Sequence, residues 1–255
     1  MRFASLGSGS RGNSLVVEIG STRILVDAGF GPTEMSRRLA RLGLEPADVD
    51  AVLVTHEHSD HIGGVAACAR RFGWPICLTQ GTLAASREHG RNLAVTLIDS
   101  HDSFSIGDIS VHPFPVPHDA REPVQFVFSD GDRRLGVLTD AGHVTHFMVT
   151  MLDACDALVL ECNHDMAMLE EGRYPPALKH RIGSRWGHLD NGAAASLLAQ
   201  IDRRNLRHVI AAHLSAENNT PLLAQSALAA ILQCESEWVG VATQNGGFDW
   251  RDVRN

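Results

Sequence analysis

A short histidine-rich segment after an apolar strand restricts this chain more than any other feature. Residues 51–54 (AVLV) predict a buried strand, and residues 55–61 continue it as THEHSDH. Residues two apart at an extended strand end project to the same side, so His56 and His58 can converge on one cation. Asp60 and His61 fall at the start of a helix and can face a second cation nearby. Three imidazoles and a carboxylate suit Zn²⁺ and tolerate Mn²⁺ or Fe.

Composition narrows the class of protein. The 255 residues are 44% hydrophobic and 20% charged, which predicts a single globular domain over residues 1–255. The net charge of −8 argues against broad attraction to nucleic acid or an anionic membrane. Five scattered cysteines without CxxC spacing argue against a disulfide scaffold. No signal segment and no run of about eighteen apolar residues is present, which predicts a cytoplasmic protein without a membrane partner.

Strand-rich blocks alternate with helical patterns in two similar halves. This alternation predicts an α/β protein with two sheets and helices packed outside them. Strands are expected at residues 2–6, 15–19, 23–26, 51–54, 95–98, 110–114, 124–128, 135–138, 157–160 and 209–212, and helices at 34–42, 62–72, 191–201 and 222–232.

The motifs resemble a known superfamily in their order along the chain. Residues 55–61 resemble the THxHxDH signature of the metallo-β-lactamase superfamily, and four more segments follow its motifs: LVDAG at 25–29, VPH at 116–118, LTD at 138–140 and AAH at 211–213. The segments LGSGSRGNS (6–14), ECNHD (161–165), RYP (173–175) and GHL (187–189) are similar to its YycJ/WalJ-like branch. The resemblance implies the αββα sandwich, in which helices flank two central β-sheets.

The resemblance also implies two divalent metal ions, with Zn²⁺ favoured and Mn²⁺ or Fe as alternatives. The implied ligands of one ion are His56, His58 and His118; those of the other are Asp60, His61 and His213; Asp140 bridges both ions. His118 and His213 each end an apolar strand, which agrees with this assignment. Asp27 is expected to hydrogen-bond the ligand loop and fix its geometry.

Paired cations about 3.5–4 Å apart activate a bridging water and clamp the oxygens of an ester. We therefore predict direct attack by a hydroxide bridging the two ions, anchored by Asp60 and Asp140. His188 is the candidate general acid for the leaving group, with a polar helix start as the alternative explanation. Glu161 is expected to orient His188 or His164. His164 itself either faces the site or caps the next helix.

The branch implies a 5′→3′ DNA exonuclease, and several features of the chain bear on the substrate. Arg173 and Arg185 lie in a basic segment with interleaved aromatics, which suits phosphates and stacked bases. Ser8 and Asn13 offer polar groups for a phosphate oxygen. Given the negative net charge, a short single-stranded DNA end is the expected substrate. A small-molecule or cyclic phosphodiesterase, another ester or thioester hydrolase, and a non-enzymatic metal-binding regulatory partner remain alternatives. Oligomeric state is not encoded in any pattern.

Overall fold

The structure, a computed structural model, describes residues 1–86 and 93–254. The first half contains β1 (Arg2–Gly7), β2 (Ser14–Ile19), β3 (Thr22–Val26), α1 (Pro32–Arg41), β4 (Ala51–Leu53), α2 (Ser59–Ile62), α3 (Val65–Phe72), β5 (Ile76–Leu78), α4 (Gln80–Ala85) and β6 (Val95–Leu97). The second half contains β7 (Phe104–Ile106), β8 (Ile109–Pro115), β9 (Val124–Ser129), β10 (Arg134–Leu138), α5 (His146–Leu152), β11 (Ala157–Glu161), α6 (Met166–Glu171), α7 (Pro176–Ile182), α8 (Asn191–Gln200), β12 (His208–Ala212), α9 (Pro221–Leu232), β13 (Gly240–Val241) and β14 (Phe248–Asp252). Single 3₁₀ turns lie at Pro46–Asp48 and Ser236–Trp238.

Two sheets of matching design form the centre of the molecule. The first has the order β14-β1-β2-β3-β4-β5-β6 and the second β13-β12-β11-β10-β9-β8-β7. In the first sheet β3 to β6 run parallel, and in the second β10 to β13 run parallel. The remaining pairs are antiparallel. Each half thus consists of an antiparallel meander that leads into parallel strands.

Three layers of apolar side chains hold the sheets and helices together. Phe3, Phe126 and Phe128 are fully buried in the cluster between the two sheets. A second cluster packs the outer face of the second sheet against α5, α8 and α9, and a third packs the first sheet against α1 and α3. Because both faces of each sheet are covered, central strands such as β2 are buried at every position. The predicted αββα sandwich is confirmed.

The long strands lie within a residue or two of their predicted positions, but the helix after β4 differs. It begins at Ser59 rather than near residue 62, and it is interrupted at Gly63 and Gly64 before α3 starts. At this interruption the backbone N–H of Gly64 donates a hydrogen bond to the carbonyl of Ala28 at 2.8 Å. The strands β5, β7, β13 and β14 and the helices α4 to α7 were not predicted. The prediction of one domain over residues 1–255 stays a prediction.

None of the helices in the described ranges has the length and apolar character needed to cross a lipid bilayer.

Candidate metal centre

The candidate site lies where strand ends of the two sheets meet. From the first sheet, the loop after β4 and helix α2 carry His56, His58, Asp60 and His61; from the second sheet, residues at or beyond the ends of β8, β10, β11 and β12 carry His118, Asp140, Glu161 and His213. Because each sheet contributes about half of these side chains, the packing of the two sheets creates the site.

Three of the strand-end residues have left-handed backbone conformations. The φ angles are 61° at Asp27, 56° at Asp140 and 55° at His213. A non-glycine residue in this region costs of order 1 kcal/mol or more, and such residues cluster at functional sites. At each of the three positions the chain turns sharply as it leaves its strand, and the side chain enters the cluster.

A group of three imidazoles forms one half of the cluster. Donor atoms of His56, His58 and His118 lie within 4.8 Å of one another, and His118 Nε2 is 3.2 Å from His58 Nδ1. His56 is fully buried, and its Nε2 has no hydrogen-bond partner among the described residues. A buried nitrogen without a hydrogen bond is unfavourable unless another group, such as a cation, satisfies it.

Asp60, His61 and His213 form the other half, and their donor atoms also lie within 4.8 Å of one another. The Asp60 carboxylate is 3.3 Å from His61 Nε2 and 3.3 Å from His213 Nε2. Asp140 reaches both halves: its oxygens are 3.0 Å from His61 Nε2 and 3.8 Å from His118 Nε2. The four carboxylates and imidazoles that were expected to surround the second ion therefore converge.

Outer hydrogen bonds orient the imidazoles. Asp27 contacts His61 Nδ1 at 2.7 Å and accepts the backbone N–H of Thr55 at 2.8 Å. Thr55 Oγ1 is 2.9 Å from His56 Nδ1, and the Gly187 carbonyl accepts from His118 Nδ1 at 2.8 Å. When Nδ1 carries the proton, Nε2 presents its lone pair to the cluster, which is the arrangement a metal ligand needs.

Glu161 joins three segments through one buried carboxylate. Its Oε2 accepts the backbone N–H groups of Ala141 and Leu189 at 2.9 and 3.1 Å. Its Oε1 is 2.8 Å from His188 Nδ1 and 3.2 Å from His213 Nδ1. These contacts connect the loop after β10, the loop before α8 and the end of β12. With Asp140 and the two histidines, Glu161 also forms a further group of donor atoms within 4.8 Å of one another, a combination that the sequence did not predict.

The charges of the cluster are strongly coupled. Burial lowers the pKa of His56 well below its ordinary value. Burial also opposes the charged form of His213, but the carboxylates around it, led by Asp140, raise its pKa to about 10. Burial raises the pKa of Glu161, yet His188 and His213 outweigh it and lower that pKa to about 2. The pKa values of Asp60 and Asp140 are also lowered, because the histidines around these carboxyls outweigh the effect of burial.

Imidazole and carboxylate donors in this density fit divalent cations. The buried Nε2 of His56, the convergent lone pairs and the carboxylates among them are each satisfied by positive ions. The cluster therefore supports divalent metal ions as cofactors.

Two residues expected to bind phosphate also contact the cluster, and their predicted role stays a prediction. Ser8 Oγ accepts the backbone N–H of His213 at 2.8 Å. Asn13 Nδ2 donates to Asp60 Oδ2 at 3.1 Å and lies 3.1 Å from His61 Nε2. Both residues are buried, so the N-terminal loop supports the metal-binding side chains from behind.

The other candidate substrate residues occupy different positions. His164 is buried beside Asn163, with Nδ1 3.3 Å from its side-chain oxygen. Arg173 and Arg185 are exposed on the segment that contains α6 and α7. The Arg185 carbonyl contacts His143 Nδ1 at 2.9 Å, which attaches this segment to the loop after β10.

Sequence reasoning missed Thr55, Asp119 and the carbonyl of Gly187. Thr55 begins the histidine motif and Asp119 directly follows a predicted ligand, so a polar residue beside a ligand was the available signal. Any residue type offers a backbone carbonyl, so no sequence pattern could have identified Gly187.

An αββα sandwich with His and Asp side chains gathered at the strand ends defines a class of metallohydrolases. The model of the Beta-lactamase superfamily domain matches residues 22–213. The chain therefore belongs to the metallo-β-lactamase superfamily, as its motifs predicted.

Relatives within the superfamily place the chain more closely. It is 36% identical over 245 residues to Exodeoxyribonuclease YycJ of Bacillus anthracis, covering 95% of this chain and 93% of that protein. It is 34% identical over 246 residues to Exodeoxyribonuclease WalJ of Streptococcus pneumoniae, covering 94% and 91%. The predicted resemblance to the YycJ/WalJ-like branch is confirmed.

Solved structures support the fold alone. The metallo-beta-lactamase fold protein YhfI from Bacillus subtilis superposes with a TM-score of 0.73 at 15% identity, covering 98% of this chain and 99% of that one. Zn(2+)-bound PqqB from Methylobacterium extorquens superposes with a TM-score of 0.72 at 20% identity, covering 99% and 100%.

Proposed function

We propose that this chain is a metal-dependent 5′→3′ DNA exonuclease that acts on single-stranded ends. The observation that carries the proposal is the convergence of all seven predicted ligands at one edge of the sandwich. The two relatives that match over most of the chain are named exodeoxyribonucleases, which indicates the substrate class. The proposed cofactor is a pair of zinc ions, because nitrogen-rich donor sets with carboxylates favour Zn²⁺.

The ligands divide into two sets. His56, His58 and His118 would hold one ion, Asp60, His61 and His213 would hold the other, and Asp140 would contact both. Two divalent cations held there would lower the pKa of water and offset the negative charge of a phosphodiester. Asp140 is buried and the Asp60 side chain is 19% exposed. Neighbouring histidines outweigh burial and lower the pKa of both carboxyls, so the carboxylates can accept hydrogen bonds from water at the site.

His188 is proposed to protonate the leaving oxygen. Its ring lies 5.2 Å from that of His118 and 5.3 Å from that of His213, measured between centroids. The contact with Glu161 at 2.8 Å keeps its Nδ1 facing inward and leaves Nε2 for the substrate. The side chain is 19% exposed, whereas Glu161 is fully buried, so the histidine is the member of this pair that substrate can reach.

The segment from α6 to α8 is proposed to hold the DNA strand. It carries the exposed side chains of Arg173, Arg181 and Arg185, in a molecule of negative net charge, and Arg181 reaches the site through Asp119. Trp186 is 59% exposed although its backbone carbonyl accepts from Asp119 N at 2.9 Å. A fixed backbone with an exposed indole is suited to stacking a base, and the arginines are suited to the phosphates on either side.

End-blocked DNA tests the proposal directly. Single-stranded oligonucleotides blocked at either the 5′ or the 3′ end are incubated with the metal-loaded protein, with and without a chelator. Digestion of the 3′-blocked strand, protection of the 5′-blocked strand and loss of activity in chelator are expected. Asp140→Asn should abolish digestion, whereas Asp202→Asn, which changes a partly exposed carboxylate before β12, should not. Hydrolysis of bis-p-nitrophenyl phosphate without any digestion of DNA would contradict the proposal.

A further inference from the structure

Asp119 is a carboxylate at the cluster that belongs to neither predicted ligand set. It directly follows His118, and its side chain is 30% exposed. Its Oδ1 lies 3.6 Å from His58 Nε2 and 3.5 Å from His118 Nε2. Its Oδ2 accepts from Arg181 Nε of α7 at 2.6 Å. Asp119 thus stands between the three-histidine group and an exposed helix.

Five histidines are predicted ligands, and four of them contact an outer partner through the ring nitrogen Nδ1. The partners are Thr55 for His56, Asp27 for His61, Gly187 for His118 and Glu161 for His213. Such partners hold ligand imidazoles in one orientation, and carboxylates also raise their basicity. His58 differs because its Nδ1 faces His118, which leaves Nε2 as the outer nitrogen.

We propose that Asp119 is the positioning residue for His58, and that Arg181 holds Asp119 in place. The carboxylate lies 3.6 Å from His58 Nε2, which is an ion-pair distance. It is restrained from two directions, since its backbone N–H donates to the Trp186 carbonyl and its side chain accepts from Arg181. This inference rests on the cation binding that the proposed function requires, but not on the identity of the substrate.

The arrangement links the exposed helix α7 to metal retention. Arg181 is exposed at 57% of its side chain and touches the cluster through Asp119. Loss of Arg181 would free the carboxylate to rotate away from His58. A residue on the substrate-facing segment therefore controls how firmly the three-histidine group holds its cation.

Metal affinity of the purified full chain tests the inference. Zinc is titrated against a chromophoric chelator for the wild type, Asp119→Ala, Asp119→Asn and Arg181→Gln. Asp119→Ala should weaken the binding of one of the two ions by about 10–100-fold, the usual effect of removing such a partner. Asp119→Asn should weaken it less, because the amide oxygen can still accept a hydrogen bond from His58. Arg181→Gln should also weaken it less, because the Asp119 carboxylate remains.

Asp202→Ala is the matched control, because Asp202 also pairs with an arginine, Arg204, but precedes β12 at a distance from the cluster in sequence and fold. Its zinc affinity should equal that of the wild type. Wild-type affinity in Asp119→Ala would overturn the inference. So would a Co²⁺ absorption spectrum showing that Asp119→Ala changes the coordination number, since that result makes Asp119 a direct ligand. Failure of the wild type to digest DNA would overturn only the proposed function, because zinc affinity is read without any substrate.

Discussion

The contact between His188 and Glu161 shows how one residue gains its chemistry from another. Burial opposes a charged imidazole at position 188, but the Glu161 carboxylate outweighs that effect and raises the pKa of His188. Glu161 can do this because two backbone N–H groups and His213 hold it in place. A raised pKa favours the protonated imidazole that general acid catalysis needs.

Replacement of His188 by alanine tests this role. We expect His188→Ala to lower turnover by about two to four orders of magnitude, because the leaving oxygen loses its proton donor. Metal content, measured by atomic emission, should stay at the wild-type value. His101→Ala, which removes an exposed histidine between β6 and β7, should leave both quantities unchanged. Metal loss in His188→Ala, or full activity, would contradict the assignment.

At the scale of single residues, local motifs were predictable and long-range partners were not. His56, His58, Asp60 and His61 lie within six residues, so their spacing alone indicated a shared site. The position of Asp119 depends on an ion pair with Arg181 that forms only after α7 packs on the site. Its function could not be derived from the sequence around it.

At the scale of elements, three segments interlock behind the cluster. The backbone of Asn13 donates to the Asp60 carbonyl at 2.8 Å, and Gly29 donates to the Asn13 carbonyl at 3.0 Å. Ala28 donates to the His61 carbonyl at 3.0 Å. The N-terminal loop, the loop after β3 and helix α2 therefore form one hydrogen-bonded unit that fixes where Asp60 and His61 point.

Within this unit, Gly29 packs tightly against the backbone of Asp60. A Cβ atom at Gly29 would collide with the carbonyl carbon and oxygen of Asp60, so we expect Gly29→Ala to displace α2. The expected cost is about 1–3 kcal/mol of unfolding free energy, as for other overpacked sites, with weaker metal binding as well. Gly31→Ala is the matched control, because a Cβ there meets no atom of the described structure within 4 Å. Denaturant unfolding and chelator titration measure both effects; equal values for the two variants would contradict this account.

Elements were predictable where their own residues stabilise them. β2 and β9 are buried along nearly their whole length, so their apolar runs revealed them. β5 and β7 span three residues each, which is too short for a periodic pattern to emerge. The short helices α5 and α6 depend on the side-chain caps of Thr145 and Asp165 and on packing against the sheet, which a hydrophobic pattern does not report.

At the scale of the whole molecule, charged groups of the cluster contribute to the contact between the two sheets. Without cations, histidines and carboxylates compensate one another across the contact between sheets, as in the pairs His213–Asp60 and His61–Asp140. With cations, the same histidines must be neutral to bind. Protons and metal ions therefore compete for the groups that join the two halves.

This competition predicts how stability depends on pH. The folded-state pKa of His213 is about 10, above its ordinary value of 6.5. Its contribution to the metal-free protein is therefore full below about pH 6.5 and is lost as the pH rises towards 10. Stabilisation by zinc should grow over the same window, because fewer protons must be released. We expect the difference in Tm between zinc-loaded and chelator-treated protein to widen from pH 6.5 to pH 9.5, as measured by differential scanning fluorimetry. A difference that stays constant across this range would contradict the prediction.

The division of the ligands between the two sheets has a consequence for biosynthesis. Chains emerge from the ribosome with the N-terminus first, so the histidine motif after β4 is exposed long before His213 at the end of β12 has been made. An ion captured by the nascent first sheet would lack Asp140 and every ligand of the second sheet. Stable loading with both cations must therefore follow synthesis of β12.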